Sequence, residues 1–188
     1  MNTTDIQDVL EVSVPDNFGV AVLPCDWLSR ITADQFAVVV NSDTAASPGM
    51  HWMAIFKDKR KEEIEFFDSC SMPVNFYHPS IGEFLENKAK GVRLNCGRIQ
   101  SEFSNTCGHF CIYYLLHRTL GKDFESILCD FSLSDLSSND ETVKRFLRDN
   151  FHINFSKGLG EGNTNSAAAI EDLVSVIQCC QVFEFLLN

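Results

Sequence analysis

Two short apolar runs with a polar break between them organise the middle of the chain. Residues 51–57 and 63–68 read as strands, and a four-residue loop at 58–61 joins them into a hairpin. A further strand is expected at 35–41, separated from the hairpin by a Ser/Ala/Pro/Gly loop at 42–50, with a short helix near 25–31 before it. Ser80 followed by Glu83 has the form of a capping box, opening a helix that Gly91 closes, and 92–100 reads as another strand. Residues 107–120 form a long segment that is apolar on nearly every side, the mark of a central buried helix, and Gly121 ends it. Asp123 caps a short helix, and Ser138 with Glu141 caps one running to about Asn150. Strands and helices do not alternate regularly, so the expected fold class is α+β.

The same pattern divides the chain. Residues 1–157 read as one globular body, 158–166 (Gly-Leu-Gly-Glu-Gly-Asn-Thr-Asn-Ser) as a flexible linker, and 167–188 as an amphipathic helix. All 15 basic residues precede position 158, so that last helix is no basic membrane-surface helix. With 188 residues and 45% hydrophobic content, one packed core is expected and global disorder is excluded. No apolar run reaches the ~18–20 residues that span a bilayer. The net charge of -11 argues against non-specific binding to nucleic acid or anionic membrane. Met1–Asp5 lacks the basic start and apolar block of a secretion signal, so the eight cysteines are expected to be reduced thiols in an intracellular setting. There is no CxxC pair to suggest a zinc knuckle.

Candidate chemistry falls at three places. In a hairpin centred on Lys59-Arg60, His51 faces Asp68, Met53 faces Phe66 and Ile55 faces Ile64. Opposed β-carbons lie ~4.5–5.5 Å apart, so Asp68 can accept a hydrogen bond from a His51 ring nitrogen, fixing the tautomer and favouring the imidazolium. Cys107 follows Asn105-Thr106, either of which can cap the central helix, and so sits in its first turn. Orphan amides and the helix dipole there stabilise a thiolate, the form that attacks a carbonyl. Cys111, inside the apolar helix, reads as core, and Gly108 leaves room for a substrate backbone. Gln100 ends a strand, from which its side-chain amide can donate to a developing oxyanion beside the Cys107 amide.

His51-Trp52-Met53-Ala54-Ile55-Phe56, Phe66-Phe67-Asp68-Ser69, Ile99-Gln100-Ser101 and Thr106-Cys107-Gly108-His109-Phe110-Cys111 together resemble the adenovirus-type (adenain-like) cysteine proteases, including those of Maverick/Polinton transposons and related DNA viruses, within the SUMO-protease-like superfamily. The resemblance spans roughly residues 15–155. It implies a papain-like fold in circularly permuted His-Asp-Gln-Cys order. It also implies the roles: His51 as general base and acid, Asp68 as its orienting acid where adenoviral enzymes usually have Glu, Gln100 as oxyanion donor and Cys107 as nucleophile. Trp52 and Gly108 would shape the substrate cleft. Trp27-Leu28 resembles the Trp-Leu pair with which SUMO proteases clamp a Gly-Gly tail.

The implied activity is a cysteine endopeptidase, a thiol hydrolase that matures virion precursor proteins at Gly-containing sites. One alternative is deconjugation of ubiquitin-like modifiers. Another is a non-catalytic virion or interaction protein that keeps the fold, with zinc held by Cys107, His109 and Cys111. Protein substrates are the expected partners of a monomer in the host cytoplasm or nucleus, or packaged in a virion. No metal or cofactor is called for. The family's peptide activator is compatible with the sequence, although no cysteine matches the linking position and Cys96, the nearest candidate, reads first as a buried thiol; the acidic charge argues against the family's DNA activator.

Overall fold

A computed structural model describes residues 1–151. The expected linker at 158–166 and helix at 167–188 lie outside the described residues. The strands are β1 (Gly19–Pro24), β2 (Phe36–Asn41), β3 (Trp52–Lys57), β4 (Glu63–Phe67) and β5 (Gly91–Leu94). They form one sheet in chain order, with β1–β2 and β4–β5 parallel and the two middle pairings antiparallel. The helices are α1 (Thr3–Ser13), α2 (Pro79–Lys88), α3 (Cys107–Thr119), α4 (Phe124–Leu128) and α5 (Leu136–Phe151), with 3-10 turns at Cys25–Arg30 and Val74–Phe76. The α+β expectation holds.

β2 (Phe-Ala-Val-Val-Val-Asn) is buried on both faces because helices cover both sides of the sheet. On one side Ala37, Val39, Ala54, Phe56 and Phe67 pack with α1, α3 and α5. On the other Phe36, Val38, Met53, Ile55 and Phe66 pack with α2 and the first 3-10 turn. Every residue of α3 from Cys107 to Arg118 is buried. Near its far end Arg118 pairs with the buried Glu65 at 2.7 Å, and Tyr114 donates to the same carboxylate at 2.6 Å. That arrangement satisfies an ion pair that burial alone would penalise.

Several local expectations are revised. α1 and β1 are additional elements; α1 is opened by a capping box in which Asn2 and Asp5 bond each other's backbone N–H. His78, not Ser80, caps α2, and the Ser80 hydroxyl instead donates to the Cys25 carbonyl at 3.0 Å. α2 ends at Lys88, with Ala89 as its C-cap, and Gly91 begins β5, which stops at Leu94 rather than running to Gln100. α5 starts two residues before Ser138, with the Asp135 carboxylate accepting from Ser138 N–H at 3.1 Å. The Trp27-Leu28 pair lies in the first 3-10 turn, with Leu28 buried in the α2-side core and Trp27 under the Arg30 guanidinium at 3.9 Å. Neither lines the cleft described next.

Candidate active site

His51 immediately precedes β3 and Asp68 immediately follows β4, and because these strands are antiparallel both sit at one end of the sheet. The β3–β4 register differs from expectation by two residues: Ile55 faces Phe66, not Ile64. A two-residue shift preserves which side chains share a face, whereas a one-residue slip would have reversed it. His51 and Asp68 are therefore diagonal rather than opposed, within reach of a long side chain. The His51 Nε2–H donates to Asp68 Oδ1 at 2.7 Å.

Asp68 is 1% exposed and fully engaged. Oδ1 also accepts from Cys70 N–H at 2.9 Å, and Oδ2 accepts from Met72 N–H at 2.8 Å and Tyr77 O–H at 2.7 Å. Burial alone would raise its pKa. The His51 hydrogen bond and charge, then the Tyr77 and Met72 donors, hold it below the ordinary 3.8. Tyr77 also stacks on the His51 ring, with centroids 6.1 Å apart.

With Nε2 given to Asp68, the second ring nitrogen of His51 is the one left for Cys107. Burial lowers the His51 pKa, but the bonds to Asp68 and to Cys107 outweigh it and push it up to about 9. Burial likewise raises Cys107, and the bond and charge of His51, with the Trp52 and Gly108 backbone amides, bring it below 9.0. The two shifts have one shared cause, the coupling of His51 to Cys107, and it favours the charged form of each. Thr106 occupies the N-cap of α3 as expected, but its hydroxyl makes no cap bond. It donates instead to Asp140 Oδ1 at 2.6 Å.

Gln100 is anchored to the turn after Asp68. The backbone N–H groups of Ile99 and Gln100 both donate to the Ser69 carbonyl, at 2.9 and 3.1 Å. The Ser69 hydroxyl donates to Gln100 Oε1 at 2.6 Å, which sets the amide orientation. Nε2 donates to the Ser104 carbonyl at 2.8 Å and, over a longer 3.4 Å, to the Ser104 hydroxyl, and a side-chain amide carries two N–H groups. Gln100, His51, Trp52 and Cys107 line one cleft of about 460 Å³, along with Met1 and Asn2 from the start of α1. A second lobe of about 770 Å³, with Met72 and Phe76 in its wall, shares Met50, His51, Cys70 and Arg98 with the first.

Trp52 is where the sequence places it, at the cleft. Gly108 is not: it is buried, and a Cβ there would meet Met1 Sδ at 3.0 Å and Ile6 Cδ1 at 3.1 Å. Its missing side chain admits α1 rather than substrate. The zinc set Cys107, His109 and Cys111 is not assembled. Cys111 is fully buried in the core, and among the described residues the ligand atoms that converge belong to His51, Asp68 and Cys70. The acids and hydroxyls that brace the site escaped sequence reasoning because their contacts are long-range. Asp140, on α5, accepts from Ser101, from Ser104 at 3.0 Å and from Thr106, every hydroxyl between Gln100 and Cys107. Asp140→Ala is expected to lower kcat per titratable thiol ~10-fold or more with little change in KM, because the 101–106 loop that positions Gln100 and Cys107 loosens. Steady-state kinetics normalised to alkylatable Cys107 measures it.

No protein-family model matches the chain, and no curated protein matches it. Among solved structures it is similar to the ASFV pS273R protease (22% identity, TM-score 0.37, covering 59% of this chain and 43% of that one). It is also similar to ChlaDub1 from Chlamydia trachomatis (16%, TM-score 0.46, 75% and 62%). A third is AvrA with IP6 and CoA (14%, TM-score 0.41, 94% and 84%). The chain thus spans less than two thirds of the first two proteins. Among the described residues no helix is long and apolar enough to cross a membrane.

Proposed function

We propose that this chain is a cysteine endopeptidase acting through Cys107. The supporting observation is one imidazole bonded on one side to a buried, four-fold hydrogen-bonded carboxylate. On the other side the ring meets a sulfur at the amino end of a buried helix, and His51 and Cys107 both line the cleft. The Cys107 thiolate attacks the substrate carbonyl, and the Cys107 backbone amide and the second N–H of Gln100 Nε2 receive the negative oxygen. The His51 imidazolium passes its sulfur-facing proton to the leaving amine. The neutral ring then takes a proton from water as that water attacks the thioester, and Cys107 departs as thiolate. Asp68 holds the ring and its charge throughout.

The substrates we propose are virion precursor proteins cut beside Gly, which is what the motif resemblance implies. The test is a panel of Gly-Gly-containing precursor peptides run beside a ubiquitin-like modifier coupled to coumarin. Cleavage of the peptides in preference supports the precursor reading; preference for the modifier reagent replaces it with deconjugation. If neither is cleaved, and iodoacetamide labels Cys107 no faster than the other thiols, the enzyme reading is lost.

A further inference from the structure

Cys70 takes no step in the chemistry above, yet it stands beside the residues that do. One ligating atom each from His51, Asp68 and Cys70 lies within 4.8 Å of the other two. The turn after β4 enforces this. Cys70 N–H bonds Asp68 Oδ1, and Ser71, at φ 52, bends the chain so that its own N–H bonds the Asp68 carbonyl at 2.8 Å. Cys70 is half-buried and lines both lobes of the cleft, so the cluster is reachable from solvent.

We propose that His51, Asp68 and Cys70 form a binding site for a thiophilic divalent cation of the zinc class, and that filling it silences the His51–Cys107 pair. An imidazole nitrogen, a carboxylate oxygen and a thiolate are a donor set suited to zinc, with the fourth position open to the cleft. Tetrahedral zinc with these ligands sets them roughly 3.3–3.7 Å apart, from bonds of ~2.0–2.3 Å. The 4.8 Å ceiling leaves any longer separation to close by at most roughly 1.1–1.5 Å, while the 2.7 Å His51–Asp68 contact has to open by roughly 0.6–1 Å. Asp68 would stay oriented by Met72 N–H and Tyr77 O–H, the outer support that metal-binding carboxylates need.

The ion stands where the proton between Nε2 and Oδ1 now lies. Binding therefore releases that proton and the Cys70 thiol proton to solvent. A ring metallated at Nε2 could give up its remaining N–H only by becoming an imidazolate, so it no longer exchanges a proton with the Cys107 sulfur. Binding stands on the cluster geometry alone, whereas the silencing rests on the protease reading.

The two parts are tested separately. For binding, cobalt(II) is added to the full chain carrying Cys107→Ala, and the thiolate-to-cobalt charge-transfer band is followed in the near ultraviolet. One band saturating at one equivalent is expected, and it should vanish when Cys70→Ser is added. A band that survives Cys70→Ser, or no band at all, overturns the site. For silencing, zinc chloride should inhibit peptide cleavage and EDTA should restore it. Half-inhibition should need at least tenfold more zinc in Cys70→Ser or Cys70→Ala than in the parent, each compared with its own zinc-free rate. Equal sensitivity of parent and variants overturns the role of Cys70. Absence of turnover in metal-free parent enzyme counts against the protease reading and leaves the cobalt result to decide binding.

Discussion

Cys107→Ala is expected to remove peptide hydrolysis down to background, a loss of roughly 10⁴-fold or more, and with it the fast phase of iodoacetamide labelling. The chain provides its own controls. Burial pushes the thiols of Cys25 and Cys111 up, and pushes Cys70 up to about 11, whereas Cys107, also buried, is brought down by His51. At neutral pH in chelated buffer, mass spectrometry should therefore find Cys107 carboxamidomethylated well before these three. Activity should have a plateau. Its acid limb lies where the thiolate is lost, below the ordinary thiol value of 9.0. Its alkaline limb lies near 9, where His51 releases the proton needed by the leaving amine. The sign for stability follows the same shift. A histidine raised from 6.5 to about 9 adds stability that is complete below 6.5 and gone once the pH has risen through 9. Uniform slow labelling of all thiols, or an alkaline limb near 6.5, would contradict the ion pair.

How much of this site could be read from the chain depends on the range of each contact. The His51–Asp68 pairing survives a register misplaced by two residues because strand periodicity is two, so facing is more robust than register. The Cys107 helix start was legible from the turn chemistry of Ser104–Thr106 and the long apolar run after it. α1 carries a local signal as well, Asn2 and Asp5 ahead of Ile6, Val9 and Leu10 at helical spacing, but its charged outer face obscures the stripe. Ser69 on Gln100, Tyr77 on Asp68 and Asp140 on the 101–106 loop have no such signature. Each is a polar residue in a turn or helix start, where solvated examples are commonplace, and only the folded chain brings it to its partner. Gly108 shows the converse error: a glycine beside the nucleophile invites a substrate role, while the space it leaves is filled by Met1 and Ile6.

Asp68→Asn should be the most damaging change that leaves the nucleophile in place, lowering kcat/KM by roughly 10²–10⁴-fold. The carboxylate receives four donors on two oxygens, and an amide offers only one oxygen. If that oxygen stays with His51 and Cys70, the new NH₂ group faces Met72 N–H and Tyr77 O–H. Tyr77 can rotate its hydroxyl to accept, but the Met72 amide loses its charged acceptor and must turn to solvent. If the amide is flipped, its NH₂ meets Nε2 of His51, which must then become an acceptor, carry its proton toward the sulfur and lose its charge. In either orientation the imidazolium loses the carboxylate that raised it. The alkaline limb of activity should therefore move down from about 9, and labelling of Cys107 at neutral pH should slow. Stability responds with a defined sign. The Asp68 pKa is depressed in the fold, so its contribution is complete above 3.8 and disappears as the pH falls through the lower folded value. Parent and variant melting temperatures should therefore differ most above pH 4 and converge in acid. An unchanged alkaline limb in a folded Asp68→Asn protein would show that the carboxylate does not hold the imidazolium, and would remove the basis for assigning His51 as the proton carrier.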